Sequence, residues 1–263
     1  MIVFPQLTTG AVGQFPIVRR RKYNAVTNVL ADGSAVAYTD SSPRKNAWDL
    51  TLRDLTDTEA KSIQQLIQTV EGRRGTFTFI DPTANLLAHS EEFGNACWTK
   101  GPMIQLSGGV DDPVGGQSAI RLINAGQAAQ DLSQSLPTPA WFGYCFSVYA
   151  RSAGGSSISL TRSSSSNTHT RVFALGPGWT RCVLSGAFSG TDESVQFTLE
   201  LPAGASVDVY GIQAETQPSA SAYKRSGNRN GVFSSARFDA DALQQSTDGP
   251  DQHRFVLRIV AKD

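Results

Sequence analysis

Trp98, Trp141, Phe142, Tyr144, Tyr149, Trp179, Tyr210 and Tyr223 are spread through a stretch otherwise rich in serine, glycine and short polar residues. An aromatic face stacks on the C–H patches of a sugar ring while flanking polar groups bind its hydroxyls. Exposed members of this set therefore suit carbohydrate binding, with Trp141, Tyr149 and Tyr210 as platforms and Arg151 as the neighbouring hydrogen-bond donor. Aromatics also build cores, each burying roughly 150–250 Å². On that ground Trp98 and Trp179 are assigned inside. Trp141, close to Pro139 in loop-like sequence, stays open between core and surface.

Other chemistries find less to work with. There is no nucleophile elbow, phosphate-binding glycine loop or metalloprotease helix. His89, His169 and His253 fall in separate segments without ligand spacing. Glu91-Glu92, Asp111-Asp112 and Asp192-Glu193 are sequence neighbours, whereas a glycosidase needs two carboxyls facing each other across roughly 5–9.5 Å. These pairs read as solvated turns, so neither enzymatic activity nor a cofactor is expected. A structural Ca²⁺ at Asp111 or Asp112 is left open, because oxygen-rich loops suit that cation. Cys97, Cys145 and Cys182 are too scattered for a disulfide framework or zinc site and read as small buried hydrophobes.

Lys+Arg and Asp+Glu each number 23, for a net charge of +0, which argues against specific nucleic-acid binding. The run Arg19-Arg20-Arg21-Lys22 stands apart. It could track phosphates or meet acidic groups of a neighbouring subunit, although strand alternation would split it across two faces. No apolar run reaches the roughly 18–20 residues of a bilayer span. The start MIVFPQLTTG lacks the basic residues and apolar stretch of a secretory signal. No membrane insertion is expected.

The elements that must position these residues fall into two styles. The flanks are rich in charge and hold a helix: Thr56 and Glu59 have capping-box spacing, Ala60, Ile63, Leu66, Ile67 and Val70 share one face, and Gly72 is the natural stop. Trp48, Leu50 and Leu52 alternate with polar residues before it. Thr76 to Ile80 and the turn pair Asp81-Pro82 follow. Phe255, Leu257 and Ile259 alternate near the C-terminus, and this late strand needs a partner in the same flanking domain. The middle is poor in charge and reads as short strands: Tyr144, Phe146, Val148 and Ala150; Ile158 and Leu160; Val195, Phe197, Leu199 and Leu201; Val207, Val209 and Gly211. The serine run between Arg162 and Asn167 reads as an exposed loop tip. The expected fold class is mainly β, a discontinuous α+β domain (1–84 and 226–263) carrying an inserted jelly-roll sandwich (85–225) of roughly eight or more strands.

Two resemblances carry this further. Asn85-Leu86-Leu87, Ser90-Glu91, Phe93 and Trp98 resemble the opening of jelly-roll carbohydrate-binding modules. Ala119-Ile120-Arg121-Leu122, Phe146 to Arg151, Gly178-Trp179-Thr180-Arg181 and Val207 to Glu215, with Tyr223 after them, continue the likeness. Modules of this pattern are frequent in bacteriophage tail proteins. In the flanks, Phe4-Pro5, Gln14-Phe15-Pro16, Trp48-Asp49-Leu50, Leu55-Thr56-Asp57 and Gly75 to Pro82 resemble phage distal tail proteins. That resemblance implies a homo-oligomeric, hexameric ring at the virion tail tip, made in the host cytoplasm and joining the tail tube to the hub, with an insert that binds host-surface carbohydrate. A tail-fibre or tail-tip adhesin is the alternative. The family has no catalytic residues to transfer, and its sugar-contacting positions vary too much to map.

Overall fold

Helix α1 (Asp57–Val70) begins where the sequence closes a reciprocal cap. The Thr56 hydroxyl accepts the Glu59 amide at 3.3 Å, and the Glu59 carboxylate accepts the Thr56 amide at 2.9 Å. Two amides that a first turn leaves orphaned are thereby satisfied. Ala60, Ile63, Leu66 and Val70 form the buried face; Ile67 is half-buried at its margin. The helix ends one residue before the expected stop, because Glu71 already turns left-handed (φ 53) and Gly72 follows at φ 62.

This computed structural model describes residues 1–22, 25–39, 45–228 and 230–262. In chain order the strands begin with β1 (Val18–Lys22), β2 (Ala25–Val29), β3 (Ala35–Thr39), β4 (Lys45–Leu55) and β5 (Phe77–Ile80). Then come β6 (Thr99–Lys100), β7 (Ile104–Val110), β8 (Ala119–Asn124), β9 (Gln130–Leu136) and β10 (Tyr144–Arg151). Next are β11 (Ser156–Ser163), β12 (Thr168–Leu175), β13 (Thr180–Gly186), β14 (Val195–Leu201) and β15 (Ser206–Glu215). The last are β16 (Val232–Phe238), β17 (Gln244–Gly249) and β18 (Gln252–Lys262). They fall into two compact units: Met1–Pro5, Gly13–Phe79 and Phe233–Asp263 in the first, Gln6–Val12 and Ile80–Val232 in the second. The second thus reaches beyond the expected 85 and 225 and takes in an N-terminal segment. Gln6 explains that segment's place, since its side chain both accepts the Gly143 amide (2.7 Å) and donates to the Gly143 carbonyl (2.9 Å).

In the first unit the strands run β1-β4-β18-β16-β5, with β17 beside β18. The late strand's partner is β4, paired from His253 opposite Leu55 to Lys262 opposite Lys45. Alternation decides its faces: Phe255, Leu257 and Ile259 are buried, while Arg254, Val256 and Arg258 are exposed. All five residues of β1 are exposed, so its basic run is not split between a buried and a free face. Its charges engage their own sheet. Arg20 ion-pairs with Asp49, Arg21 donates to Asn46 at 3.2 Å, and the Arg19 guanidinium lies 5.5 Å from the Trp48 ring centre. The hairpin β2-β3 forms a two-stranded sheet of its own. It leaves Val26, Val29, Leu30 and Tyr38 roughly half or more exposed.

The second unit is an antiparallel sandwich of two five-stranded sheets, β13-β10-β15-β8-β7 and β12-β11-β14-β9-β6. Successive strands pass repeatedly from one sheet to the other, the jelly-roll habit. Inward residues meet between the sheets: Phe197 of β14 packs against Tyr144 and Phe146 of β10, ring centres 5.7 and 5.3 Å apart. Both chain ends of the sandwich are tied together. Asn85 donates to the carbonyls of Ile212 (2.9 Å) and Lys224 (3.1 Å) and accepts the amides of Leu87 and Ala214. Three expectations are corrected here. Ser163, the first of the serine run, belongs to β11 after the buried Arg162, whose guanidinium donates to the Gly186 carbonyl and lies 4.0 Å from the Phe188 ring centre; the turn begins only after it. Trp179 is half-buried, because it precedes β13 instead of lying within it. Cys97 is exposed, unlike Cys145 and Cys182.

Candidate functional site

The outward face of sheet β13-β10-β15-β8-β7 is built of cross-strand rows. Register puts Arg121 opposite Asp208 and Asp208 opposite Arg151. The next row is Tyr210, Tyr149 and Arg181; then come Gln213, Ser147 and Val183, and finally Glu215, Cys145 and Ser185. The step from Tyr210 to Gln213 breaks simple alternation. Pairing shifts register there, and Gly211 sits at φ 65. A Cβ at Gly211 would lie 3.0 Å from the Tyr223 ring, so only glycine admits both the conformation and the close approach.

A strap following β15 covers the last two rows. Glu215, fully buried, accepts from Lys224 Nζ (2.7 Å), Gln213 Nε2 (2.6 Å), Gln217 Nε2 (3.1 Å) and the Ser221 amide (3.1 Å). A buried carboxylate needs this number of partners to repay its lost hydration. Beneath the strap, Ser147, Cys145 and Gln213 are fully buried too. The first two rows remain open.

On that open half the aromatics form a line. Tyr149 and Tyr210 have ring centres 6.2 Å apart, and Tyr223 stands 5.1 Å beyond Tyr210. The Tyr223 hydroxyl is anchored by Ser90 (2.7 Å) and donates to Glu91 (3.0 Å). Burial, with Glu91 close by, pushes the Tyr223 phenol well above its ordinary range. Burial also raises Tyr210, helped by the charges of Asp112 and Glu91. Both rings are therefore neutral stacking surfaces at physiological pH. At the other end, the Arg181 guanidinium lies 5.1 Å from the Tyr149 ring centre and that of Arg151 lies 4.6 Å from Trp179.

Asp208 holds the neighbouring row. Arg121 grips it with two bonds (2.7 and 3.1 Å) and Arg151 adds a third at 3.0 Å. Burial pushes the Asp208 carboxyl up, but the two guanidinium groups outweigh that and hold it below the usual carboxylate range. The loop before β8 is held by Asp112, whose carboxylate accepts the amides of Val114 (2.9 Å), Gly116 (2.9 Å) and Ser118 (3.1 Å). Burial raises Asp112, yet these amides more than compensate and leave it lowered. The oxygens considered for Ca²⁺ thus staple their own loop. Among the described residues no group of three or more His, Cys, Asp or Glu side chains could hold a metal ion.

Of the four residues singled out from sequence, the fold places Tyr149, Tyr210 and Arg151 together and leaves Trp141 apart. Trp141 is half-buried against Phe142, beyond the opposite end of β10. Arg151 is also less free than expected, since Asp208 and the Asp111 carbonyl take its donors. Arg121, Arg181 and Asp208 were not anticipated as members of the site. For Arg121 and Asp208 the signal is the alternation itself, since each stands between apolar residues, as in Val207-Asp208-Val209-Tyr210; Arg181, between Thr180 and Cys182, has no such frame. Elsewhere, a cavity of about 380 Å³ in the first unit is lined by Asp49, Phe238, Asp241 and Arg258. Its charges are paired, Arg258 with Asp49 and Asp239, and Asp241 with Arg73.

The chain matches no protein-family model and no curated protein. Among solved structures it is similar to the enzymatically active domain of bacteriophage CBA120 tailspike protein 4 (TM-score 0.41, 12% identity), over 52% of this chain and 22% of that one. It is also similar to a family 61 carbohydrate-binding module in complex with β-1,4-galactotriose (TM-score 0.41, 15% identity, 50% of this chain and 98% of that). A third is the xylan-binding family 22 module of Paenibacillus barcinonensis Xyn10C (TM-score 0.42, 14% identity, 53% of this chain and 99% of that). This chain spans about a fifth of the tailspike domain's length. No helix among the described residues is long and apolar enough to cross a membrane.

Proposed function

We propose that the sandwich binds carbohydrate without turning it over, as a module of a phage tail protein. The observation that carries this is the open half of one sheet, where Tyr149, Tyr210 and Tyr223 line up beside Trp179 and guanidinium groups. Rigid aromatics offer sugar C–H faces a large contact at small entropy cost. The carboxylates around them are committed to structure: Asp208 to two arginines, Asp112 to amides, Glu215 to the strap. That leaves no pair poised to act as acid and base.

For the first unit we propose the ring role, with copies closing into a hexamer at the tail tip between tail tube and hub. The exposed hairpin β2-β3 supports this reading, because a two-stranded ribbon without a covered face is marginal in water. We further propose that 85–225 behaves as an insert, its ends already clasped by Asn85. Weak sites, with dissociation constants on the order of 0.1–1 mM, would then gain avidity from ring display. Glycan-array binding by the purified chain, joined to electron microscopy of its assemblies, tests both parts. Binding with closed rings is the expected result. Binding by trimers or monomers would favour the adhesin; absence of binding to any glycan would reduce the sandwich to a spacer.

A further inference from the structure

The charges on the open half do not balance. Arg121 and Arg151 share Asp208. The two acids whose charge reaches Tyr210 are engaged elsewhere, Glu91 with Arg225 at 3.1 Å and Asp112 with its loop amides. Arg181 has no acid of its own: no carboxylate among the described residues lies within ion-pair distance. Its guanidinium donates to Ser147 Oγ at 3.2 Å, and its Nε is buried without an acceptor. It is nevertheless held 5.1 Å from the Tyr149 ring centre, at the end of the aromatic row.

We propose that Arg181 reads a carboxylate and that the sugar bound on this face is acidic, of the uronic-acid class. The inference rests on the carbohydrate reading of the same face. A neutral sugar would gain stacking from Tyr149 and Tyr210 but leave the cation uncompensated. A sugar carboxylate supplies the missing charge at the terminal N–H groups, and guanidinium, planar and always protonated, matches its geometry. Arg121 and Arg151 are already engaged, Arg121 by two bonds to Asp208 and Arg151 by one to Asp208 and one to the Asp111 carbonyl.

Affinity electrophoresis of the full chain tests this, with polygalacturonate and alginate as acidic polymers, galactan and xylan as neutral ones, and dextran sulfate as a charge-only control. An acidic polymer should retard the protein at about ten-fold lower concentration than a neutral one. Arg181→Gln should erase that preference, and Arg181→Lys should restore only part of it. Should Arg181→Gln fail to fold, the salt response of the native protein decides. Retardation by the acidic polymer that weakens from about 50 to about 500 mM NaCl supports the assignment, and indifference to salt overturns it. Equal retardation by neutral polymers, unchanged in Arg181→Gln, overturns the acid preference and leaves carbohydrate binding standing. Retardation by dextran sulfate that survives Tyr149→Ala would reveal plain charge attraction and overturn it as well. Retardation by none of the polymers overturns both readings.

Discussion

The two sheets of the sandwich follow the same alternation yet present opposite outward surfaces. On β12-β11-β14-β9-β6 the outward set includes short polar side chains, Ser159, Thr161, Thr198, Gln196 and Ser133, beside Glu200 and the exposed Val172. They bond to one another and across the sheet, as Gln196 does to Ser133 and Thr161 to Thr170, both at 2.8 Å. The other sheet carries Trp179, Arg151, Arg181, Tyr149 and Tyr210. Inward positions are set by the need to fill a core, whereas outward positions are free to differ. A face whose polar groups bond to one another needs little from a ligand. An aromatic and guanidinium face leaves stacking surface and charge unsatisfied, and that residue of unmet interactions is where a ligand gains.

The largest expected effect concerns the strap that divides the second face into covered and open halves. Glu215→Ala would strand Lys224, Gln213 and Ser221 around a vacated buried site, at a cost of about 3 kcal/mol. Thr198→Ala, on the hydroxyl face, should cost less than about 1 kcal/mol. Urea unfolding of both variants gives the contrast. Equal losses would mean that the strap is not what closes the lower half of the sheet.

Binding should respond in the same one-sided way. Tyr149→Ala removes the ring that links Tyr210 to Arg181, and the expected loss is about ten-fold in affinity, or about 1.4 kcal/mol. Thr161→Ala, a mirror substitution on the other sheet, should change nothing. Comparable losses from both, read by the same polymer titration, would place the site elsewhere.

Acid should find the open half through Asp208. Its folded pKa lies below the unfolded value of about 3.9, so the unfolded chain binds the proton more readily. The stability it contributes is fully present above that unfolded value and is lost as pH falls through it and on through the lower folded pKa. Asp208→Asn should therefore be less stable than the native chain at pH 7, and the gap should narrow steadily below about pH 4. A gap that stays constant down to pH 2 would show that the two arginines do not stabilise this carboxylate.

Much of this fold was legible because burial imposes a period. Phe255, Leu257 and Ile259 announced β18 and its place in the flanking domain; that its partner there is β4, around Leu50, came from the register. Thr56 and Glu59 announced the helix start through local bonds alone. What failed depends on partners distant in sequence. Ser163 reads as loop because it opens a serine run; it continues β11 from Arg162, whose burial rests on Phe188 and the Gly186 carbonyl, more than twenty residues on. Tyr149 and Tyr210 were legible as types, but their shared row required the register between β10 and β15 and the shift at Gly211. Arg181 matters for a partner it lacks, and a missing partner leaves no pattern in a sequence.

The smallest expected effect belongs to Trp141, the residue most exposed to misreading as a platform. It precedes β10 beyond Tyr144, and from Tyr144 to Tyr149 the strand advances about 17 Å at roughly 3.3 Å per residue. The strap over Glu215 and Cys145 occupies the sheet between them. Side chains separated by more than about 7–10 Å and sharing no partner act independently, so Trp141→Ala should alter sugar affinity by less than about two-fold. Its half-buried ring packs edge-on to Phe142 at 6.2 Å, so its loss should register in the melting temperature instead. A ten-fold loss of binding with an unchanged melting temperature would put a second platform at the far end of β10, and the contrast between a covered and an open half would no longer hold.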